Sequence, residues 1–203
     1  MAEIGLFPLG LVLLPTERVP LHIFEPRYKE LISECLAEER EFGLVLADDD
    51  GLRDIGTRAR VIEVLQEFED GRLNIVVEGA ERFRLVELTE GRSFQTGEVE
   101  PVDDEGDAPS FEVVKRALEL FRRLAEVAGA EIDEPPTDAE FLSFELAARV
   151  DFGVELKQEL LELRSERARL QRLAELLERA AQGIALEREV RERAAGNGKV
   201  SPP

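Results

Sequence analysis

One cysteine and one histidine are all that this sequence offers to sulfur and imidazole chemistry, and that scarcity excludes several functions at once. A single cysteine cannot build an intramolecular disulfide framework. One histidine and one cysteine cannot close a zinc coordination sphere without several carboxylates, so no metal site is expected. A Ser-His-Asp triad would have to use His22, and no Gly-x-Ser-x-Gly elbow presents a serine to it. A phosphate loop needs a glycine five residues before a Gly-Lys pair and a hydroxyl after it; Gly198-Lys199 has Arg193 before it and Val200 after it. Catalytic residues and cofactors are therefore expected to be absent. The first residues show neither a basic region nor an apolar run long enough to export the chain or span a membrane, which gives a cytoplasmic protein as the expectation.

Positive charge is scarce as well: 26 Lys and Arg stand against 45 Asp and Glu, a net charge of -19. The excess is uneven, at -15 for residues 1–110, -6 for 111–165 and +2 for 166–203. Nucleic-acid binding rests on neutralising phosphates with Lys and Arg, so nucleic acid and anionic membrane surfaces are not expected partners. Solubility accounts for the charge more simply than steering does. With 203 residues, 43% of them hydrophobic, the chain has material for a sizeable core in one large domain or two small ones.

The most informative stretch is Phe7 to Tyr28, FPLGLVLLPTERVPLHIFEPRY. The run Val12–Leu14 closed by Pro15, and Val19, Leu21 and Ile23 alternating with Pro20, His22 and Phe24, predict two short extended segments joined by a Pro-Thr-Glu-Arg turn. Pro8, Pro15 and Pro20 confine these to edges or bends. At Glu25-Pro26 the period changes: Tyr28, Leu31, Ile32, Cys35 and Leu36 recur at helical spacing, with Pro26 suited to the first helical position and Glu25 expected to accept hydrogen bonds at the helix start. Cys35 on that apolar face reads as a plain core thiol. His22 is expected to make a satisfied hydrogen bond at the rim of the sheet.

Phe42–Ala47 is a continuous apolar run and reads as a buried strand. Asp48–Asp50 lacks the alternating ligands and terminal glutamate of a calcium loop and reads as a solvated turn. Strands are expected over 58–69, 73–78, 81–88 and 94–102, with Asp70-Gly71 as a hairpin turn that exploits the positive φ open to glycine. Residues 101–110 (PVDDEGDAPS) have linker composition. Helices follow at 111–128, then from Thr137, whose capping box uses Glu140, to near Val150, then at 155–164. A final helix is capped by Ser165, with Leu170, Leu173, Leu177, Ala180 and Ile184 in coiled-coil spacing before Glu187 and Arg191 break it.

Three blocks carry a resemblance: Phe7-Pro8-Leu9 with PLHIFEPRY; Gly56-Thr57 and Ala59, Asp70-Gly71-Arg72, Gly79 and Arg82-Phe83; and Lys157–Glu162 followed by an Arg-Leu-rich helix. Together they cover residues from about 4 to 182, and the sequence resembles the Lon N-terminal substrate-binding domain. The resemblance implies an α+β fold: a PUA-like β pseudo-barrel of about six strands with one helix over 1–102, a linker at 103–110 and a helical bundle over 111–195 ending in a long helix. Residues 196–203 are expected to be disordered. The resemblance also implies a module that binds unfolded or extended polypeptide, serving a separate protease or chaperone, and no protease, since the ATPase and Ser-Lys peptidase of Lon proteases are not in this sequence.

Two alternatives belong to other classes: an enzyme using clustered carboxylates, and a structural protein associating through its last helix. For the binding module, the expected site is a cleft between the two halves, lined from the 15–24 region by Val19, Leu21 and Phe24 with Arg27 as a carboxylate or backbone partner. The expected ligands are basic-apolar stretches, and the expected state is a monomer or weak dimer.

Overall fold

A computed structural model describes residues 2–131, 133–137 and 139–197. Seven strands come first: β1 (Ala2–Leu9), β2 (Arg18–Ile23), β3 (Phe42–Asp48), β4 (Gly51–Leu52), β5 (Ile55–Glu67), β6 (Leu73–Thr89) and β7 (Thr96–Pro101), with helix α1 (Pro26–Glu38) between β2 and β3. Four helices follow: α2 (Phe111–Ala128), α3 (Leu142–Ala147), α4 (Val154–Glu162) and α5 (Glu166–Asn197).

β1 is antiparallel to β7 through Ala2–Gly5 and parallel to β3 through Leu6–Leu9. β7 pairs with β6, β6 with β5 and β5 with β3, so the hydrogen-bonded path returns to the strand on which it began. β6 is the spine. Its first half lies between β2 and β5, and its second half between β5 and β7. The β5–β6 ladder carries three register shifts, one with the extra residue on β6 and two on β5, and such bulges let long strands coil. Pro20 sits on β2, which has β6 on one side only, and Pro8 lies beyond the reach of β7, so each proline stands where its strand has a single ladder partner.

Alternation sorts the apolar side chains. On β1, Leu6 joins Val45, Phe83 and Val99, while Phe7 turns the other way to join Tyr28, Ile32, Phe42, Leu44 and Ile75 over α1. β3 reads as an unbroken apolar run because both its faces are covered. Val12 and Leu14, with Leu46 of β3 and Ile55 of β5, pack into the core built by α2–α5.

Several expectations need correction. The strands number seven, not about six: the runs 73–78 and 81–88 are one strand, the first residues form β1, and β4 is a two-residue addition. Val12–Leu14 is no strand but an irregular buried segment. Its backbone is held by the Thr57 hydroxyl, which donates to Leu13 O at 2.6 Å, and by Glu17, whose carboxylate accepts from Leu14 N at 2.9 Å. Gly79 permits that approach, since a Cβ there would lie 2.2 Å from Leu14 O. Glu25 is the N-cap residue of α1 and its carbonyl oxygen accepts from Lys29 N at 3.0 Å, but its carboxylate makes no capping hydrogen bond and pairs with Arg27 at 2.8 Å.

Helix α3 begins at Leu142, not Thr137, and there Glu166 accepts from Ser143 N at 2.8 Å and from Ser143 Oγ at 2.6 Å. Ser165 does cap α5, accepting from Ala168 N at 3.0 Å. Leu170, Leu173 and Leu177 of α5 are fully buried against its own neighbours, while Leu186 and Val190 stand exposed. α5 runs to Asn197, and the rest of the stretch expected to be disordered lies outside the described residues.

Candidate functional site

Residues 103–110 have the composition of a solvated connection, yet Asp104 lies between two buried cations. Arg82 of β6 is 5% exposed and Arg169 of α5 is 0% exposed. Asp104 pairs with both guanidinium groups. Arg82 Nη1 also donates to Leu161 O at 2.8 Å and Leu163 O at 2.7 Å. Arg169 donates to Leu163 O at 2.8 Å, to Ser143 Oγ at 2.9 Å and to Glu166 at 2.7 Å. Both guanidinium planes cover the Phe144 ring, at 5.5 Å and 4.3 Å from its centroid. Burial, with Arg169 adding to it against the pull of Asp104, brings Arg82 below the usual arginine range. Burial acts on Arg169 too, but Asp104 and Glu166 together outweigh it and hold that group above its ordinary value. Both groups stay charged at any ordinary pH.

This cluster fixes α3–α5 to the sheet, and a second tie repeats the arrangement. Glu17, 8% exposed, takes the ammonium of Lys157 from α4, and Gln158 donates to Ile55 O at 3.1 Å. Between the two bodies so fixed runs a groove of about 760 Å³. Pro15, Thr16 and Gly79–Arg82 form one wall, Pro101–Asp104 the floor, and Glu140, Phe141 and Phe144 the other wall. Apolar surface comes from Pro15, Val102 and Phe141. The side chains of Glu81, Asp103 and Glu140 have no cationic partner among the described residues, so the groove is negative where it meets water.

The sequence model of the ATP-dependent protease La (LON) substrate-binding domain matches residues 3–179. The chain belongs to the Lon substrate-binding domain family. Lon protease of Anaeromyxobacter dehalogenans is 29% identical over 207 residues, a stretch that covers 93% of this chain and 24% of that protein. Lon protease 2 of Myxococcus xanthus is 29% identical over 196 residues, covering 88% of this chain and 24% of that one. The chain thus spans about a quarter of the length of these curated relatives. Among solved structures, a Lon N-terminal domain protein from Xanthomonas campestris superposes with a TM-score of 0.69 at 28% identity, covering 85% of this chain and 97% of that one. The N-terminal domain of the Mycobacterium avium complex Lon protease shares the fold, with a TM-score of 0.68 at 19% identity over 87% of this chain and 98% of that one.

Within this Lon-type fold the side chains expected to bind peptide do not line the groove. Val19 and Leu21 pair with Val77 and Ile75 across β2–β6 and pack, partly buried, on the core over α1. Phe24 is 59% exposed and stacks on His22 at 5.9 Å between centroids. Arg27 lies over the Tyr28 ring at 4.6 Å. Period-2 alternation turns Val19 and Leu21 inward and leaves His22 outward, where its Nδ1 meets Asn74 Oδ1 at 2.6 Å. Sequence reading missed Asp104, hidden by linker composition, and Arg169, whose signal was a cation four residues before Leu173 on an otherwise apolar stripe.

Among the described residues, no group of three or more His, Cys, Asp or Glu side chains could hold a metal ion, and no helix is long and apolar enough to cross a membrane. Burial pushes the Cys35 thiol up from 9.0 to about 11, well above any activated range. The native protein is expected to resist iodoacetamide at neutral pH and to react once unfolded; fast native labelling would contradict the burial. Because the folded thiol keeps its proton up to about 11 and an ordinary one loses it near 9.0, its contribution to stability is complete below pH 9 and is lost as pH rises toward 11. The loss is of order 2 kcal/mol.

Proposed function

We propose that this chain binds extended polypeptide in the groove between sheet and helices and performs no chemistry on it. The observation that carries the reading is the groove itself: two walls from different parts of the chain, held at a fixed spacing by Arg82, Asp104 and Arg169, with apolar surface from Pro15, Val102 and Phe141 and unpaired carboxylates beside it. A ligand that matches it is a chain segment with basic and apolar side chains. In this reading the closed path of strand pairings is the PUA-like pseudo-barrel and α2–α5 are the helical bundle. Bound segments are presented to a separate protease or chaperone in the cytoplasm. The family match supports polypeptide as the ligand class, and because it is a match to a substrate-binding domain it supports binding without turnover.

Titration with unfolded peptides tests this. Basic-apolar peptides are expected to bind more tightly than acidic ones of equal length, and to weaken as salt screens the groove. The double charge reversal Glu81→Lys with Asp103→Lys is expected to lower affinity about tenfold or more without unfolding the protein. Phe24→Ala in the same titration tests whether the ligand path extends outside the groove toward Phe24 and Arg27. Absence of binding by any peptide to folded protein would overturn the reading, and hydrolysis of a bound peptide by homogeneous protein would overturn its second half.

A further inference from the structure

We propose that Arg58 captures the free carboxylate at the C-terminal end of the bound polypeptide, an inference that rests on the polypeptide reading above. Arg58 is half-buried on β5 and lines the groove near Gly79 and Glu81. Among the described residues the other buried or half-buried cations are all partnered: Lys29, Arg53, Arg82, Lys157, Arg169 and Arg172 each hold a carboxylate or a carbonyl oxygen. Arg58 has neither. A partly desolvated guanidinium without an acceptor is unfavourable, and it is conspicuous in a chain with 45 acids and 26 bases.

The sheet arranges this isolation. On the β3 side the residue opposite Arg58 is Gly43, which offers no side chain to cover or pair with it. On the β6 side the register steps from Thr57 opposite Arg82 to Ala59 opposite Gly79, so Ala80 and Glu81 together face Arg58. Two residues against one is a bulge, a feature that re-aims side chains away from the regular pleat. The same guanidinium also borders a neighbouring opening of about 540 Å³ beside Glu41 and Phe94, so a ligand reaches it from solvent.

The chemistry selects a chain end over an acidic side chain. A guanidinium fork takes a carboxylate through two parallel hydrogen bonds. The unpaired Glu81, Asp103 and Glu140 repel acidic residues along the rest of the groove, so the complementary ligand carries a single carboxylate at its terminus and basic or apolar residues before it.

The test uses the full chain and a peptide of alternating lysine and valine, once with a free C-terminal carboxylate and once as its C-terminal amide, titrated by calorimetry. The amide lacks the carboxylate's negative charge, which favours it on this acidic protein, so a preference for the acid cannot be general electrostatics. The acid is expected to bind about tenfold or more tightly than the amide. Arg58→Gln is expected to abolish that difference by weakening the acid relative to the amide, and Arg58→Lys to retain part of it. If Arg58→Gln fails to fold, the acid-to-amide ratio on the unmodified chain and on Arg58→Lys decides. Equal binding of both peptides overturns the role of Arg58 and leaves the polypeptide reading standing. A preference that survives in folded Arg58→Gln, or inorganic phosphate binding as tightly as the acid, also overturns it. Binding of neither peptide overturns both readings.

Discussion

Replacing Asp104 with alanine is expected to lower the free energy of unfolding by about 3–5 kcal/mol. The carboxylate is shared by two guanidinium groups whose side chains are 4% and 0% exposed, so its removal leaves two like charges facing each other out of water. Denaturant unfolding measures the loss, and hydrogen exchange is expected to localise it to the contact of α3–α5 with β6. Methionine at Arg82 in the Asp104→Ala background is expected to recover part of it, because one buried charge is gone while Arg169 keeps its pairing with Glu166. A loss below about 1 kcal/mol would mean that water solvates the cluster.

Tyr28→Ala is the second large effect, at about 3–5 kcal/mol. The ring is 6% exposed and stacks on Phe7 at 3.9 Å between centroids, so truncation opens a cavity between α1 and β1. Burial raises the phenol above its ordinary range, Arg27 acting in the opposite direction and Glu25 adding to the rise. Tyr28→Phe keeps the stack and is expected to lose much less, which separates packing from the hydroxyl. Thermal or denaturant melting of both variants checks this, and a loss below about 1 kcal/mol for Tyr28→Ala would place the ring in a recognition surface.

What the sequence made legible was what local physics decides. A continuous apolar run found β3 and period-3.6 patterns found α1 and α2, and Gly71, at φ 77, forms the turn that its neighbours announced. Ser165 capped its helix as its position required. Misreadings arose where a distant partner decides. Val12–Leu14 has the composition of a strand, but Thr57 and Gly79 hold it irregular, and nothing near it in sequence announces either residue. Thr137 and Glu140 have the spacing of a capping box, but the helix starts at Leu142, where Glu166 accepts from Ser143 N. The groove was hardest to read. Its acidic character follows from composition, whereas Asp104 takes its importance from Arg82 and Arg169, which only the folded chain brings together. Arg58 is distinctive only because partners are absent around it, and a sequence does not display that.

The pairing of β1 has a consequence for the order in which this chain acquires its structure. Ala2–Gly5 are synthesised well before their partners on β7, Thr96 to Val99. Until those residues have left the ribosome, the N-terminal strand has only the short parallel pairing with β3, and parallel pairs are the weaker kind. Such long sequence separation makes closure a late and slow event, governed by loop entropy more than by the strength of the final contacts. In the interval Leu6 lacks the cover of Val99 on the nascent chain, so the early life of this fold depends on what else shields it.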